Sequence, residues 1–101
     1  MSNPTLTIKG TKYVAPKPKA KAWYATMEMD SKVKEAKAID LIDIFAEYLA
    51  LVFEVSKDEI INNVDIGTIA KTTHEVESWI IDVVTGKVEE LPKNQTSPAL
   101  N

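Results

Sequence analysis

The N-terminal segment alternates apolar and polar side chains on either side of Gly10. Residues 5–9 (TLTIK) and 11–15 (TKYVA) are rich in β-branched side chains, and such alternation is typical of strands with one buried face. The pattern predicts two short strands around a turn at Lys9-Gly10-Thr11. Because an isolated hairpin is only marginally stable, we expect it to pack on another element or to join another sheet.

The stretch from Pro16 to Ala22 changes the pattern, because prolines and lysines alternate at its start. This composition is compatible with a polyproline linker, but Pro18 also suits the first turn of a helix. We favour the helix, and we expect it to continue through Lys32.

Residues 36–55 carry the strongest helical pattern of the chain. Apolar side chains occur on nearly all sides of this predicted helix, which is typical of a helix that is buried on more than one side. Its acidic side chains share one narrow stripe because they are spaced by three, four and seven residues. We favour a solvated face for this stripe over a docking surface for a lysine-rich partner. The stripe comprises Asp40, Asp43, Glu47 and Glu54.

Two further patterns predict the remaining helices. Ser56 and Glu59 have the spacing of a capping box, which predicts a short helix that continues through Asn62. Asp65 is the expected N-cap of a final amphipathic helix, and Gly86 is the residue expected to end it. An amphipathic pattern with spacings of three and four residues runs through Ile66, Ile69, Thr73, Val76, Ile80 and Val83.

Together these elements predict a mainly α fold of three to four helices with a short N-terminal β-hairpin, which is a small α+β fold. We expect one globular domain over residues 1–91, with the β element at 5–15 and the helices at 18–86. Residues 87–91 are expected to form one more short extended piece. Residues 92–101 are polar and interrupted by proline, so we expect a disordered tail there.

Composition excludes several function classes. The 101 residues include no cysteine, which excludes disulfides, thiol nucleophiles and thiolate metal sites. No apolar run is long enough to span a membrane, and the N-terminus lacks the apolar core of a signal peptide, so we expect a cytoplasmic protein without membrane association. All 12 basic residues are lysine, and the lack of arginine disfavours specific nucleic-acid binding.

The net charge of −3 is unevenly distributed along the chain. Residues 1–37 carry eight lysines and three acids, whereas residues 38–101 carry four lysines and twelve acids. The basic part of one copy can therefore pair with the acidic part of another, and head-to-tail stacking would also cover excess apolar surface. We expect self-association that weakens with salt.

Candidate catalytic and metal-binding residues do not complete a known motif. His74 precedes Glu75, but Ser78 occupies the position of the second histidine of H-E-x-x-H. Asp65 lies in a segment that is similar to a calcium loop, but Ile66 stands where the glycine is required. Glycine-rich phosphate loops and the G-x-S-x-G motif are also missing. We therefore expect no enzyme activity, no metal and no cofactor.

Aromatic side chains are the candidate partner-binding residues. Most aromatic residues are expected in the core, but a domain of three or four helices has difficulty covering a helix that is apolar on nearly every side. Tyr48 and Phe53 lie five residues apart, about 140° around the helix, so we expect them not to share one core seam. The predicted partner-binding residues are Tyr48, Phe53, Phe45 and Trp79.

The order of the segments is itself informative. The β-type segment TLTIKGTKYVAP is followed by the apolar DLIDIFAEYLALVFEVS, the acidic SKDEIINNVD and a final amphipathic helix that ends at TGK. Over residues 5–91 this order resembles the small tail assembly chaperones of long-tailed phages, particularly phages of low-GC Gram-positive bacteria. The resemblance implies a protein that binds the tape measure protein, keeps it soluble and helps to recruit the major tail protein around it.

The resemblance also implies a place of action. Such chaperones work in the cytoplasm of the infected bacterium and are absent from the mature virion. The family offers no catalytic motif and no sharp partner-binding signature to carry over to this chain. The alternative interpretation is a small structural tail component, or a host-directed regulatory or inhibitor protein of a phage.

Overall fold

The N-terminal hairpin forms where the alternation predicts it. In the computed structural model, which describes residues 3–86, strands β1 (Thr5–Ile8) and β2 (Thr11–Val14) pair antiparallel. Lys9 and Gly10 join them with φ angles of 51° and 80°. Positive φ at both central residues is what a two-residue type I′ turn requires, and this turn matches the twist of the two strands.

One face of the hairpin is covered by the helical part of the chain. Leu6 and Ile8 alternate inward and are buried, whereas Thr5 and Thr7 are exposed. Strand β1 packs against the third helix. Within residues 3–86 the hairpin pairs with no further strand, so the burial of its inward side chains is what holds it on the domain.

Helices make up most of the described chain, and this confirms the predicted class of a mainly α, small α+β fold. They follow one another through short connections, with one 3₁₀ turn (Ala38–Asp40) before the second helix. The helices are α1 (Ala20–Glu35), α2 (Leu41–Phe53), α3 (Lys57–Asn63) and α4 (Ile66–Val84). The predicted extended piece at 87–91 and the predicted tail at 92–101 lie outside the described residues.

Helix α1 begins and ends later than its sequence pattern predicts. Lys19 is the N-cap and has extended backbone, with φ of −103° and ψ of 173°. Pro18 therefore precedes the helix instead of lying in its first turn. At the other end the helix continues to Glu35 and not only to Lys32, because no proline or glycine interrupts it there.

Helix α2 is shorter than the pattern over residues 36–55 predicts. Ala36 and Lys37 have extended backbone, with ψ angles of 147° and 158°. Regular α-helix starts only at Leu41, after the 3₁₀ turn. The extended link reverses the direction of the chain, and α2 then packs back along α1.

The predicted capping box at the start of α3 is wrong in its side-chain contacts. Ser56 is the N-cap, but its side chain makes no capping hydrogen bond. The Glu59 carboxylate instead accepts a hydrogen bond of 3.3 Å from the Asn63 side-chain amide. It also lies 3.7 Å from Lys9 Nζ, so one partner on the same helix and one on the hairpin turn contact the carboxylate that would have closed the box.

Both predicted ends of α4 are confirmed. Asp65 Oδ2 accepts from the Thr68 backbone N–H at 2.9 Å, and Asp65 Oδ1 accepts from the Thr68 hydroxyl at 2.7 Å. These hydrogen bonds lower the pKa of the Asp65 carboxyl below its usual value. At the other end Gly86 has a φ of 77°, and its N–H donates to the Val83 carbonyl at 3.2 Å, as expected for a C′ glycine.

Helix α2 lies at the centre of the helical part and packs against α1, α3 and α4. Three neighbours explain why apolar side chains occur around most of its circumference. Ala46 and Leu49 are fully buried, and so is Ile60, which α3 contributes to the same core. The acidic stripe is the part of α2 and its flanks that no helix covers, and all four of its members are exposed.

Lysines of the same chain already partner two members of the acidic stripe. Asp43 Oδ1 lies 2.7 Å from Lys57 Nζ, an ion pair that links α2 to α3. Glu47 Oε1 lies 3.7 Å from Lys32 Nζ, which links α2 to α1. The Lys57 ammonium donates a hydrogen bond to Asp43, and this bond raises the pKa of Lys57. The stripe is therefore a solvated face with intramolecular ion pairs.

Replacing the α4 N-cap will test this account of the helix start. Asp65→Ala is expected to lower the free energy of unfolding by about 1 kcal/mol, because the Thr68 N–H loses its acceptor. Asp65→Asn is the matched control, since its side-chain oxygen can accept the same hydrogen bond. Urea unfolding of the three proteins measures the difference. Equal losses for Ala and Asn would contradict the capping role.

Candidate functional site

The predicted partner-binding aromatics are placed in or against the core. Tyr48, Phe53 and Trp79 are only 3%, 4% and 5% exposed. Phe45 is half-buried and packs against the same core, with its ring 6.1 Å from that of His74 in an edge-to-face arrangement. In the described chain these side chains therefore do not form an open partner-binding surface.

Tyr48 and Phe53 are both buried, and this is compatible with the expectation that they do not share one core seam. A separation of about 140° around the axis is correct for an ideal α-helix. It would leave one of the two side chains outside the core only if α2 were packed on a single side. Helix α2 is packed by α1 as well as by α3 and α4. Side chains that point in different directions from α2 are therefore buried against different neighbours.

Tyr48 anchors α2 to α1 through a buried hydrogen bond. The hydroxyl oxygens of Tyr48 and Thr26 lie 2.7 Å apart, and the Thr26 hydroxyl donates to the Ala22 carbonyl at 2.8 Å. Since Thr26 has one hydroxyl proton, Tyr48 is the donor in the pair. Burial raises the pKa of Tyr48 to about 12, because the phenolate form would lose its hydration.

An apolar cleft lies along the seam between α1 and α2. The volume of this cleft is about 130 Å³. Its floor is formed by Ala25 and Met29 from α1 and by Ile44, Tyr48 and Leu51 from α2. A second cleft, of about 160 Å³, lies further along the same seam.

The two clefts are neighbours that meet at Leu51, which lines both of them. The second cleft is bounded by Ala22 of α1, by Val52 of α2 and by the Pro–Lys segment before α1. Leu51 is 38% exposed, so this ridge between the clefts is reachable from solvent. We call the combined surface the α1–α2 groove.

The floor of the groove follows from the residue sizes on α1. Ala22 and Ala25 are three residues apart on one face of the helix. Their small side chains leave space beside Leu51, while the Tyr48 hydroxyl is held inward by Thr26. Each cleft is smaller than the roughly 300–1,000 Å³ that encloses a drug-sized ligand. The groove therefore fits one or two apolar side chains at each cleft.

Charged side chains border the groove differently at its two ends. At one end Lys32 Nζ lies 3.8 Å from Glu28 Oε1 and 3.7 Å from Glu47 Oε1. At the other end the border carries three lysines and one glutamate, namely Lys17, Lys19, Lys21 and Glu54. Within residues 3–86 none of these three lysines has a carboxylate within 4.0 Å.

The other depressions do not assemble a reactive site. One depression, of about 690 Å³, lies between the hairpin and α4 and is bordered by Lys12, His74 and Glu75. The buried Nε1 of Trp79 at this depression makes no hydrogen bond within residues 3–86. His74 lies on the exposed face of α4 as predicted. In the part of the chain that the structure describes, no three metal-binding side chains cluster.

Sequence reasoning missed the groove because it concentrated on aromatic residues. Ile44, Tyr48 and Leu51 are spaced by four and three residues and therefore share one face of α2. A matching signal was present on α1, where Ala22 and Ala25 provide small side chains at the same spacing. Reading those two faces together would have indicated a seam between the helices.

Comparisons with protein families, with characterised proteins and with solved structures found no match to this chain. Over the described residues, none of the helices is long and apolar enough to cross a membrane. The function is therefore argued from the groove and from the order of segments in the sequence.

The buried hydroxyl pair makes a pH-dependent prediction. Unfolded tyrosine ionises near its ordinary pKa of 10.0, whereas Tyr48 in the folded protein ionises near 12. Between these values the unfolded chain binds fewer protons, so stability falls as pH rises. Tyr48→Phe is expected to lose about 1 kcal/mol at neutral pH, and to show a shallower decline above pH 10.

Urea unfolding of both proteins from pH 7 to 11 measures this difference. Titration of the lysines affects both proteins equally, so comparison with the variant isolates the tyrosine. Parallel stability profiles above pH 10 would contradict the assignment of a buried, neutral hydroxyl to Tyr48.

Proposed function

We propose that this chain is a tail assembly chaperone of a long-tailed phage, and that it holds apolar helical segments of the tape measure protein in the α1–α2 groove. The proposal includes help in recruiting the major tail protein, action in the cytoplasm of the infected bacterium and absence from the virion. The groove is the observation that carries it, because an apolar floor lies open at the surface of a chain whose segment order resembles these chaperones.

The dimensions of the groove suit a helix as its occupant. From Lys21 to Lys32 the α1 border spans eleven residue steps, about 16 Å. A docked amphipathic helix presents anchors at positions i, i+3 or i+4, and i+7, which extend over about 10 Å. The two clefts on either side of Leu51 can each receive one such anchor.

Weak, reversible binding is the expected consequence of this geometry. Full burial of one leucine-sized side chain contributes about 1.5–3 kcal/mol, and association and ordering oppose that gain. Two anchors therefore gain about 3–6 kcal/mol before those costs, so we expect an affinity no tighter than the millimolar range, for which the free energy is about −4 kcal/mol. Weak contacts repeated along a long partner would keep it soluble and still allow the chaperone to leave during assembly.

The proposal is for a binding protein and not an enzyme. The groove brings together no nucleophile and base, and its buried hydroxyl pair serves packing between the helices. The predicted self-association stays a prediction. Exposed apolar side chains outside the groove, such as Ile39 and Ile66, are possible contacts for neighbouring copies or for the major tail protein.

Co-expression with the tape measure protein of the same phage tests the groove directly. Leu51→Asp places a charge on the ridge between the two clefts and is expected to abolish solubilisation of the partner. Ile61→Asp is the matched control, since Ile61 is a helical residue with 43% exposure against 38% for Leu51. Ile61 does not border the groove. The readout is the fraction of soluble tape measure protein, beside a melting curve of each variant.

Each outcome of this experiment discriminates between interpretations. We expect both variants to fold and only Leu51→Asp to lose soluble partner. Retained solubilisation by a folded Leu51→Asp would show that the groove is not the binding site. Failure of the wild-type protein to keep the tape measure protein soluble would contradict the chaperone function itself.

The composition of purified virions separates the chaperone from the structural alternative. An assembly chaperone leaves the particle, so mass spectrometry of purified virions is expected to detect the tape measure and major tail proteins but not this chain. Detection at a fixed stoichiometry with the tail proteins would favour a small structural tail component. Absence of the chain from particles, together with no effect of its deletion on tail formation, would favour a host-directed regulator.

A further inference from the structure

We propose that the α1–α2 groove selects helices that carry acidic side chains at the end lying over Lys17, Lys19 and Lys21. The inference deepens the proposed function and rests on it, because it names the chemistry of the partner segment. It follows from the unequal charges at the two ends of the groove. It also follows from the finding that, within residues 3–86, no carboxylate lies within 4.0 Å of these three lysines.

The groove is electrically polarised along its length. At the Pro–Lys end three lysines stand against the single carboxylate of Glu54. At the opposite end two glutamates stand against Lys32 alone. One end therefore has a net positive charge and the other a net negative charge, so a bound helix with an uneven charge distribution has a preferred direction.

The three lysines are available to a partner, whereas Lys32 is not. Lys32 lies within 4 Å of two carboxylates of its own chain, those of Glu28 and Glu47. Lys17, Lys19 and Lys21 are exposed. Within the described residues each of the three has no carboxylate within 4.0 Å, so their charges are not already neutralised by an ion pair.

The backbone that carries two of these lysines is restricted. Pro16 and Pro18 flank Lys17, and proline fixes its own φ while favouring extended backbone in the preceding residue. Lys19 is also extended, as the N-cap of α1. Less backbone freedom is lost when such a segment meets a ligand, which favours binding.

An acidic amphipathic helix is the occupant that fits both features. Its apolar face fills the clefts on either side of Leu51, and its carboxylates reach the lysines at the rim. Phosphate ligands are disfavoured, because this border has no arginine and no glycine-rich loop to supply backbone donors. An exposed ion pair changes affinity by about 1.4- to fivefold, so three pairs give a preference of roughly three- to hundredfold, and we expect about tenfold.

A displayed library of helical peptides tests the inference with the full-length protein. Each peptide has about 16 residues, with either leucine or serine at the i, i+4 and i+7 anchors and Glu, Lys or Gln randomised at both ends. The expected result is enrichment of glutamate at one end only. A selected peptide is expected to bind about tenfold more weakly to the Lys17→Gln, Lys19→Gln, Lys21→Gln triple variant at low salt. That difference should vanish near 1 M salt, where screening is strongest.

A second triple variant controls for overall charge. This control also loses three positive charges, but from exposed positions outside the groove border. It carries the substitutions Lys12→Gln, Lys34→Gln and Lys37→Gln. The selected peptide is expected to bind this variant with unchanged affinity. Equal loss in both variants would show a general charge effect and would overturn the inference.

The remaining outcomes separate this inference from the proposed function. Enrichment of anchored helices without a glutamate preference would overturn the acidic selectivity and leave the groove as a helix-binding site. No enrichment of anchored helices would contradict the helix-binding groove as well. A second copy of the chain could instead fill the groove. Sedimentation would then show a dimer that is lost in the variant with glutamine at Lys17, Lys19 and Lys21, and an excess of unlabelled protein would displace the peptides. That result would also overturn the inference.

Discussion

The hydrogen bond between the buried hydroxyl groups of Tyr48 and Thr26 determines how α1 lies along α2. A shift of one helix along the other would break it and leave buried polar groups without partners, each costing about 1–3 kcal/mol. Close packing of the apolar side chains resists such a shift as well, and the polar contact adds a penalty for any register that separates the two hydroxyls. The groove depends on that register, since Ala25, Met29 and Leu51 line the cleft together with Tyr48.

The sequence predicted those parts of the fold whose causes are local. The turn needs only positive φ at Lys9 and Gly10, and the alternation around it identifies the strands. Asp65 caps α4 through a residue three positions away, and Gly86 ends the same helix with its own backbone conformation. Each of these signals lies within a few residues of the structure it predicts, so no knowledge of tertiary packing is required.

Most of the predictions that failed depend on residues distant in the chain. Glu59 has the spacing of a capping box, but its carboxylate contacts Asn63 one turn further along α3 and the distant Lys9. Tyr48 and Phe53 point in different directions from α2, and only the arrangement of three neighbouring helices shows that both are buried. The groove was missed for the same reason. It exists only between two faces, and each face alone is an ordinary core pattern.

The proposed function requires that the α1–α2 groove, and not another apolar surface, receives a helix of the tape measure protein. Methyl NMR during titration with a soluble fragment of that protein tests this requirement residue by residue. The signals of Met29, Ile44 and Leu51 are expected to shift with a common saturation curve, while that of Ile61 stays unchanged. Shifts at Ile61 or elsewhere, with the three groove signals unaffected, would show that the helix binds to a different surface.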